Sequence, residues 1–185
     1  MNILVDNPKI LVYAGPNGSG KSTITKGYPI TGIYINADDI KHHRGCTDLE
    51  AAVEAEAIRE NLIYLKKSFT FETVLSTERN LILLEKAKKL GYSIDIVFVL
   101  TANPELNVKR VKARVIKGGH DVPENKIRSR YSKSLAMIKR LIKIADFIII
   151  VDNTIHPEII YKKDTDGEII LSNEFWTEKA IKKLI

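Results

Sequence analysis

Apolar residues along this chain fall into short dense runs, separated by stretches in which they recur at helical spacing. The run Lys9–Ala14 predicts a buried strand, followed by a helix over about 21–28 and a second strand over Gly32–Asn36. The Ala- and Glu-rich segment from Leu49 predicts a helix to about Lys66, with Thr47 or Asp48 as its cap. Ser68–Thr73, rich in β-branched and aromatic residues, reads as a third strand. Ser76 or Thr77 is expected to cap the next helix, which runs through Leu90 to a stop at Gly91. Ile94–Leu100 is almost wholly apolar, as a strand covered on both faces must be. Pro104 suits the first turn of a helix to about Lys117, Gly118–Pro123 breaks it, and a return helix spans Glu124 to about Ile144. Asp146–Asp152 is the last central strand. Ile159–Lys163 and Glu168–Leu171 flank Asp166-Gly167, a hairpin signal, and a short helix from Asn173 or Glu174 ends the chain.

Strand alternating with helix predicts an α/β fold: an open, mostly parallel, five-stranded sheet flanked by helices. A helical lid over about 108–132 and a C-terminal hairpin plus helix over about 157–185 complete one expected domain, 1–185. Ligands of such sheets gather at the carboxyl ends of the strands. Ala14-Gly15, Asn36–Asp39, Glu72-Thr73, Thr101–Asn103 and Asp152-Asn153 should therefore share one rim.

One rim segment carries a specific pattern. Gly15-Pro16-Asn17-Gly18-Ser19-Gly20-Lys21-Ser22 fits G-x-x-x-x-G-K-[ST] between an expected strand and an expected helix. Glycines in such a loop take backbone angles closed to other residues, so successive N–H groups turn inward around a phosphate. Lys21 supplies a point charge to the β- and γ-phosphates, and the Ser22 hydroxyl suits a Mg²⁺ ligand. ATP or GTP with Mg²⁺ is the expected ligand, bound by Gly15, Asn17, Gly18, Ser19, Gly20, Lys21, Ser22 and Thr23.

Phosphoryl transfer also needs a group that takes the acceptor's proton. Asp38 and Asp39 follow the second strand; Asp38 is assigned to that chemistry and to substrate, Asp39 to capping or a secondary role. Glu72, with Thr73 beside it, can grip substrate hydroxyls or a water around the metal. No apolar run ending in Asp faces the loop, so Glu72 or Asp38 is expected to supply the metal's outer contact. Arg110 and Arg114 share one helical face, and Arg128 and Arg130 lie on the return helix beyond the glycine break. That is the layout of a lid whose guanidinium groups close over phosphates, with Arg110 among those expected on the nucleotide. His120 is read as hinge surface, and His42, His43 and Cys46 lack the further ligands that a metal site needs.

Composition narrows the class. Charged residues are 28% and apolar residues 44%, and no apolar run approaches the about 20 residues of a membrane span. No basic stretch followed by an apolar core opens the chain, and Cys46 is the only cysteine; both suit a cytoplasmic protein. The net charge of +6 is concentrated between Lys109 and Lys133. Beside a phosphate loop, that block reads as neutralising small phosphorylated ligands rather than nucleic acid.

The glycine loop, Asn36-Ala37-Asp38-Asp39-Ile40, Phe71-Glu72-Thr73 and above all Gly118–Tyr131 together resemble the zeta toxin family and the zeta-like small P-loop kinases. The resemblance runs from Lys9 to about Asn153. It implies a kinase in which Asp38 is the base, Glu72 binds substrate, and arginines flanking the lid turn, Arg114 and Arg128 by position, hold nucleotide phosphates. It also implies a UDP-activated sugar as hydroxyl acceptor and an antitoxin protein as partner. This chain reads Glu-Thr-Val-Leu-Ser at residues 72–76 where well-studied members have Glu-Gly-Thr. Two alternatives stand beside this: a nucleotide-gated nucleic-acid module using the basic block, and hydrolysis with water as acceptor.

Overall fold

The computed structural model describes residues 7–185; the expectation that no leader precedes the fold rests on residues 1–6 and lies outside them. Seven strands form one sheet: β1 (Lys9–Ala14), β2 (Ile33–Ile35), β3 (Phe69–Thr73), β4 (Ser93–Leu100), β5 (Phe147–Asp152), β6 (Glu158–Asp164) and β7 (Gly167–Ile170). Their order is β2-β3-β1-β4-β5-β6-β7, parallel through β5 and antiparallel thereafter. The expected five-stranded sheet is thus corrected to seven. The C-terminal hairpin does not stand apart, because β6 takes up the hydrogen-bonding edge that β5 would leave open. Ile160 and Tyr161 of β6 are fully buried against the same core.

Eight helices connect the strands among the described residues: α1 (Lys21–Thr25), α2 (Ala37–Arg44), α3 (Asp48–Tyr64), α4 (Arg79–Lys89), α5 (Pro104–Ile116), α6 (Glu124–Ala136), α7 (Ile138–Ile144) and α8 (Glu178–Leu184). α3 opens on a capping box in which the Thr47 hydroxyl accepts from Glu50 N–H and Glu50 reaches back to Thr47 N–H. Four expectations shift. α1 stops at Thr25, since Gly27 and Pro29 close it off. α4 starts at Arg79 rather than after Ser76 or Thr77, because Leu75, at φ 52, and the Thr73 hydroxyl turn the chain tightly just past β3. The return helix divides at Met137, whose N–H bonds the Ser134 carbonyl in a tightened turn. α8 begins after Thr177; Asn173 instead closes a turn by accepting from Phe175 and Trp176 N–H.

The main core lies between the sheet and α3, α4 and α7, where Phe69, Phe71, Leu84, Ile96, Ile138 and Ile150 are fully buried. A smaller cluster of Tyr13, Ile24, Val97, Val99, Ile149 and Val151 forms the opposite face. No described helix is long and apolar enough to cross a membrane.

Candidate functional site

Parallel strands bring their carboxyl ends to one edge, and a cleft of about 770 Å³ opens there. Register sets its floor: Tyr13 pairs with Glu72 and Ala14 with Thr73, so the third strand's last residues lie level with the start of the glycine loop.

The loop follows β1 directly. Gly15 sits at φ 139 and Gly18 at φ 77, angles that side-chain-bearing residues rarely adopt. Space is equally tight. A Cβ on Gly15 would stand 2.0 Å from the Val99 carbonyl oxygen, and one on Gly18 2.5 Å from that of Asn107. Two amides hold the loop from beneath: Asn107 Nδ2 donates to the Asn17 carbonyl at 2.7 Å and Asn153 Nδ2 to the Ser19 carbonyl at 2.8 Å. Asn107, wholly buried, is itself fixed by the Thr101 hydroxyl. With α1 only five residues long, its dipole adds little, so the cradle rests on the turned amides and on Lys21.

Lys21 Nζ folds onto the loop, donating to the carbonyls of Gly15 at 2.7 Å and Pro16 at 3.1 Å. Burial lowers its pKa to about 8, with Arg114 pushing the same way; Glu72 and Asp38 oppose the shift. Ser22 Oγ donates to Glu72 Oε2 at 3.1 Å, and Tyr34 donates to Glu72 Oε1 at 2.6 Å. Burial first, then that bond to Glu72, raises the Tyr34 phenol above its ordinary range. Asn36 completes the chain of contacts, donating to the Tyr34 oxygen at 3.2 Å while its own Oδ1 accepts from Asp38 N–H at 2.9 Å. Hence Asn36, not Asp39, caps α2, and in doing so it fixes where Asp38 begins the helix.

Asn17, Gly18, Gly20, Lys21, Ser22 and Thr23 all line the cleft, as do Asp38, Glu72 and Thr73. Asp39 does not, and Gly15 and Ser19 lie beneath, fully buried or nearly so. Thr73 reaches the cleft with its hydroxyl committed to accepting from Asn80 Nδ2 at 2.7 Å. From the lid, Arg110 and Arg114 line the cleft; Arg114 donates to the His120 carbonyl at 2.6 Å and Arg110 to that of Thr154 at 3.0 Å. Arg128 lies elsewhere. It is not part of the lining, and its guanidinium is taken by Glu105 at 2.7 and 2.9 Å and by Glu124 at 2.9 Å. Arg130 instead reaches the loop, at 3.3 Å from Asn17 Oδ1. α5 and α6 pack on each other through Val108, Val111, Val122 and Ile127, and Tyr131 ties α6 to the sheet at the Thr101 carbonyl, 2.6 Å away.

Sequence reasoning missed Tyr34, Asn107 and Arg59. Asn107 looks like any helical polar residue and Tyr34 like any strand aromatic; only the tertiary fold gives them partners. Arg59, on α3, is buried and lines the cleft. In sequence it reads as one more charged residue on a helix rich in Glu, which hides it.

Residues 33–166 match the Zeta toxin family. A protein of Haemophilus influenzae is 30% identical over 129 residues, spanning 66% of this chain and 92% of its own length. Among solved structures, the PezAT chromosomal toxin–antitoxin system of Streptococcus pneumoniae aligns over 97% of this chain and 83% of its own, at 17% identity and TM-score 0.61. The AvrRxo1-ORF1:-ORF2 complex with ATP aligns over 96% of this chain at 14% identity and TM-score 0.73; the Pnkp1/Rnl/Hen1 RNA repair complex aligns over 75% at 19% and 0.60. This chain spans 63% and 48% of those last two. The glycine loop lies ahead of the matched segment and stands on its own geometry. With a kinase-like P-loop fold and a match over most of its length, the chain belongs to the zeta toxin family.

Proposed function

We propose that this protein is a kinase that moves the γ-phosphoryl group of ATP or GTP to a hydroxyl of a small molecule, and that it acts as the toxin of a toxin–antitoxin pair. The observation that carries the reading is the convergence of Lys21, Ser22, Asp38 and Glu72 in one cleft, with Ser22 Oγ 3.1 Å from Glu72. A hydroxyl beside a carboxylate, next to a loop whose glycines leave no room for a Cβ, fits a magnesium–triphosphate. Mg²⁺ would be held by Ser22 with Glu72 beside it, and would supply positive charge to offset that of the triphosphate.

The residues divide the work. Backbone N–H groups of the loop and the Lys21 ammonium bind the β- and γ-phosphates. Asp38 orients the acceptor hydroxyl and takes its proton. As the acceptor oxygen bonds to the γ-phosphorus, the bond from that phosphorus to the bridging oxygen breaks. Its electron pair leaves on the nucleoside diphosphate. Arg110, Arg114 and Arg130, carried by the lid, meet the charge spread over the transferring oxygens. Tyr34 and Asn36 hold Glu72 and Asp38 in register. The toxin reading and a partner antitoxin follow from family membership, and the PezAT structure, a toxin–antitoxin system by its own description, supports them.

The test is a single-turnover reaction with γ-labelled ATP and a panel of hydroxyl acceptors, UDP-sugars included. Label passes to an acceptor in the wild type and is lost in Lys21→Ala and Asp38→Asn, by about a thousandfold or more for the first. Label appearing only as free phosphate would make the protein a hydrolase and end the kinase reading.

A further inference from the structure

The cleft is far more cationic than the transfer chemistry above requires. Its lining carries six Lys and Arg side chains against two carboxylates. Arg110 and Arg114 belong to the lid, Lys21 to the loop, and exposed Arg79 is neutralised by Glu56. Arg59 is different in kind. It is only 8% exposed, and no carboxylate among the described residues lies within ion-pair distance of it. Its neighbour in sequence, Glu60, is committed to Lys86. Nη2 has one long bond, 3.3 Å to Asn80 Oδ1, and the buried Nε has no acceptor at all. The guanidinium carbon lies 5.0 Å from the Phe71 ring centre. Burial lowers the arginine's pKa to about 10, against which Glu60 gives only a distant pull.

A buried, unpaired charge is among the costliest groups a fold can carry. Where one lines a cleft, a ligand of opposite charge is the natural partner. Its position says which ligand. Ala52, Ala55 and Arg59 form one stripe along α3, and all three line the cleft, two small residues making room ahead of the cation. Asn80 links Arg59 to the Thr73 hydroxyl, one residue past Glu72. This stripe lies on the β2–β3 side of the glycine loop. The amides of Asn107 and Asn153, and the lid arginines, stand on the β4–β5 side. A nucleotide held by the loop and the lid leaves Arg59 facing what occupies the rest of the cleft, the acceptor.

Resting on the kinase reading above, we propose that Arg59 is the specificity residue of the acceptor site, seating a phosphate ester group on an acceptor whose hydroxyl lies at Asp38. The planar fork of a guanidinium matches two oxygens of such a group, and Asn80 Oδ1, accepting from Nη2, and the Phe71 ring keep that fork oriented. A neutral sugar or polyol would leave the charge unmatched and is rejected for that reason.

The experiment uses the full-length protein with its nucleotide site filled by magnesium and a non-hydrolysable ATP analogue, and titrates inorganic phosphate while following the melting temperature. Wild type shows a further saturable rise with phosphate and none with acetate. Arg59→Met binds the nucleotide analogue within about twofold of wild type, melts at or above the wild-type temperature without phosphate, and binds phosphate about tenfold or more weakly. Arg59→Lys keeps the charge without the fork and falls between the two. Equal phosphate affinity in wild type and Arg59→Met overturns the proposal, as does acetate acting as well as phosphate, or no saturable phosphate effect in the loaded wild type. Failure of wild type to bind the nucleotide analogue is a separate outcome that removes the kinase reading itself, and this assignment with it.

Discussion

The two ends of the cleft are built on opposite principles. At the phosphate-binding end the side-chain amides beneath the loop are matched: Asn107 holds the Asn17 carbonyl, Asn153 holds that of Ser19, and Thr101 holds Asn107, while the uncharged Ser19 hydroxyl is buried without a partner. Across from it, α3 buries an arginine whose strongest contact is one long bond to Asn80. The first end is held in shape by its own bonds, with the Lys21 ammonium folded onto the Gly15 and Pro16 carbonyls. The second stores an unmatched charge. A site assembled this way keeps its stability in the half that must not move and its selectivity in the half that waits for a counter-ion.

The largest effect is expected where the matched end is tightest. Gly15→Ala combines a φ of 139 with a Cβ 2.0 Å from the Val99 carbonyl. The loop must shift off β4, costing about 3 kcal/mol or more and abolishing nucleotide binding. Denaturant unfolding and titration with a fluorescent nucleotide check both. Asn107→Ala comes next. It strips the Asn17 carbonyl and the Thr101 hydroxyl of their buried partner, costing about 1–3 kcal/mol, and it weakens nucleotide binding through the loosened loop. Urea midpoints for Asn107→Ala and Arg59→Met should therefore move in opposite directions. A neutral Asn107→Ala beside a strongly destabilised Arg59→Met would invert the contrast between the two ends.

How far the sequence discloses this arrangement follows from how local each signal is. The glycine loop, Lys21 and Ser22 depend on adjacent residues and a strand before them, so their positions are readable in a single pass. Asp38 and Glu72 are readable because each lies at or just past the carboxyl end of a strand, and parallel strands bring those ends together. Arg128 stands outside the cleft for a reason of pairing: helical spacing puts it on the lid, but Glu105 on the facing helix and Glu124 one turn earlier take it, leaving Arg130 for the loop. One local sign separates those two arginines: Arg128 has Glu124 four residues before it, where Arg130 has Lys126. The hairpin's union with the sheet and Arg59's burial both depend on partners far away in sequence, and neither β6 nor α3 advertises them.

A third effect, of middle size, comes from pH. Lys21 has a folded pKa of about 8, below its ordinary 10.5, so the folded apo-protein releases that proton before the unfolded chain does. Between about pH 8 and 10.5 the unfolded state holds more protons, and the Lys21 contribution makes stability rise with pH there. Nucleotide phosphates favour the ammonium, so affinity runs the other way. It is flat below about pH 8 and falls about tenfold per pH unit above it, until the pKa of the bound form is reached. Binding titrations from pH 6.5 to 9.5 would show the break, and Lys21→Arg, charged throughout, would remove it. A flat wild-type profile would mean that Lys21 is solvated, and that the matched end is less enclosed than its hydrogen bonds imply.

The smallest effect is expected of Arg128, which the family resemblance singles out and the fold places outside the cleft. Arg128 lies in a three-membered cluster with Glu105 and Glu124 on the outer side of the lid, partly exposed, and each of those carboxylates is held below its usual range first by a hydrogen bond, Glu105 from Arg128 and Glu124 from Lys112. Exposed pairs of this sort contribute about 1 kcal/mol or less, because water and salt screen them. Arg128→Ala should therefore shift the melting temperature slightly and leave turnover within about twofold of wild type. Arg130→Ala, removing the contact to Asn17, should cost more in turnover than in stability. The order of the two is the informative result: if Arg128→Ala lost activity by tenfold or more while Arg130→Ala kept it, the lid would have to rotate α6 about its axis on closing, breaking the Glu105 pair to bring Arg128 inward.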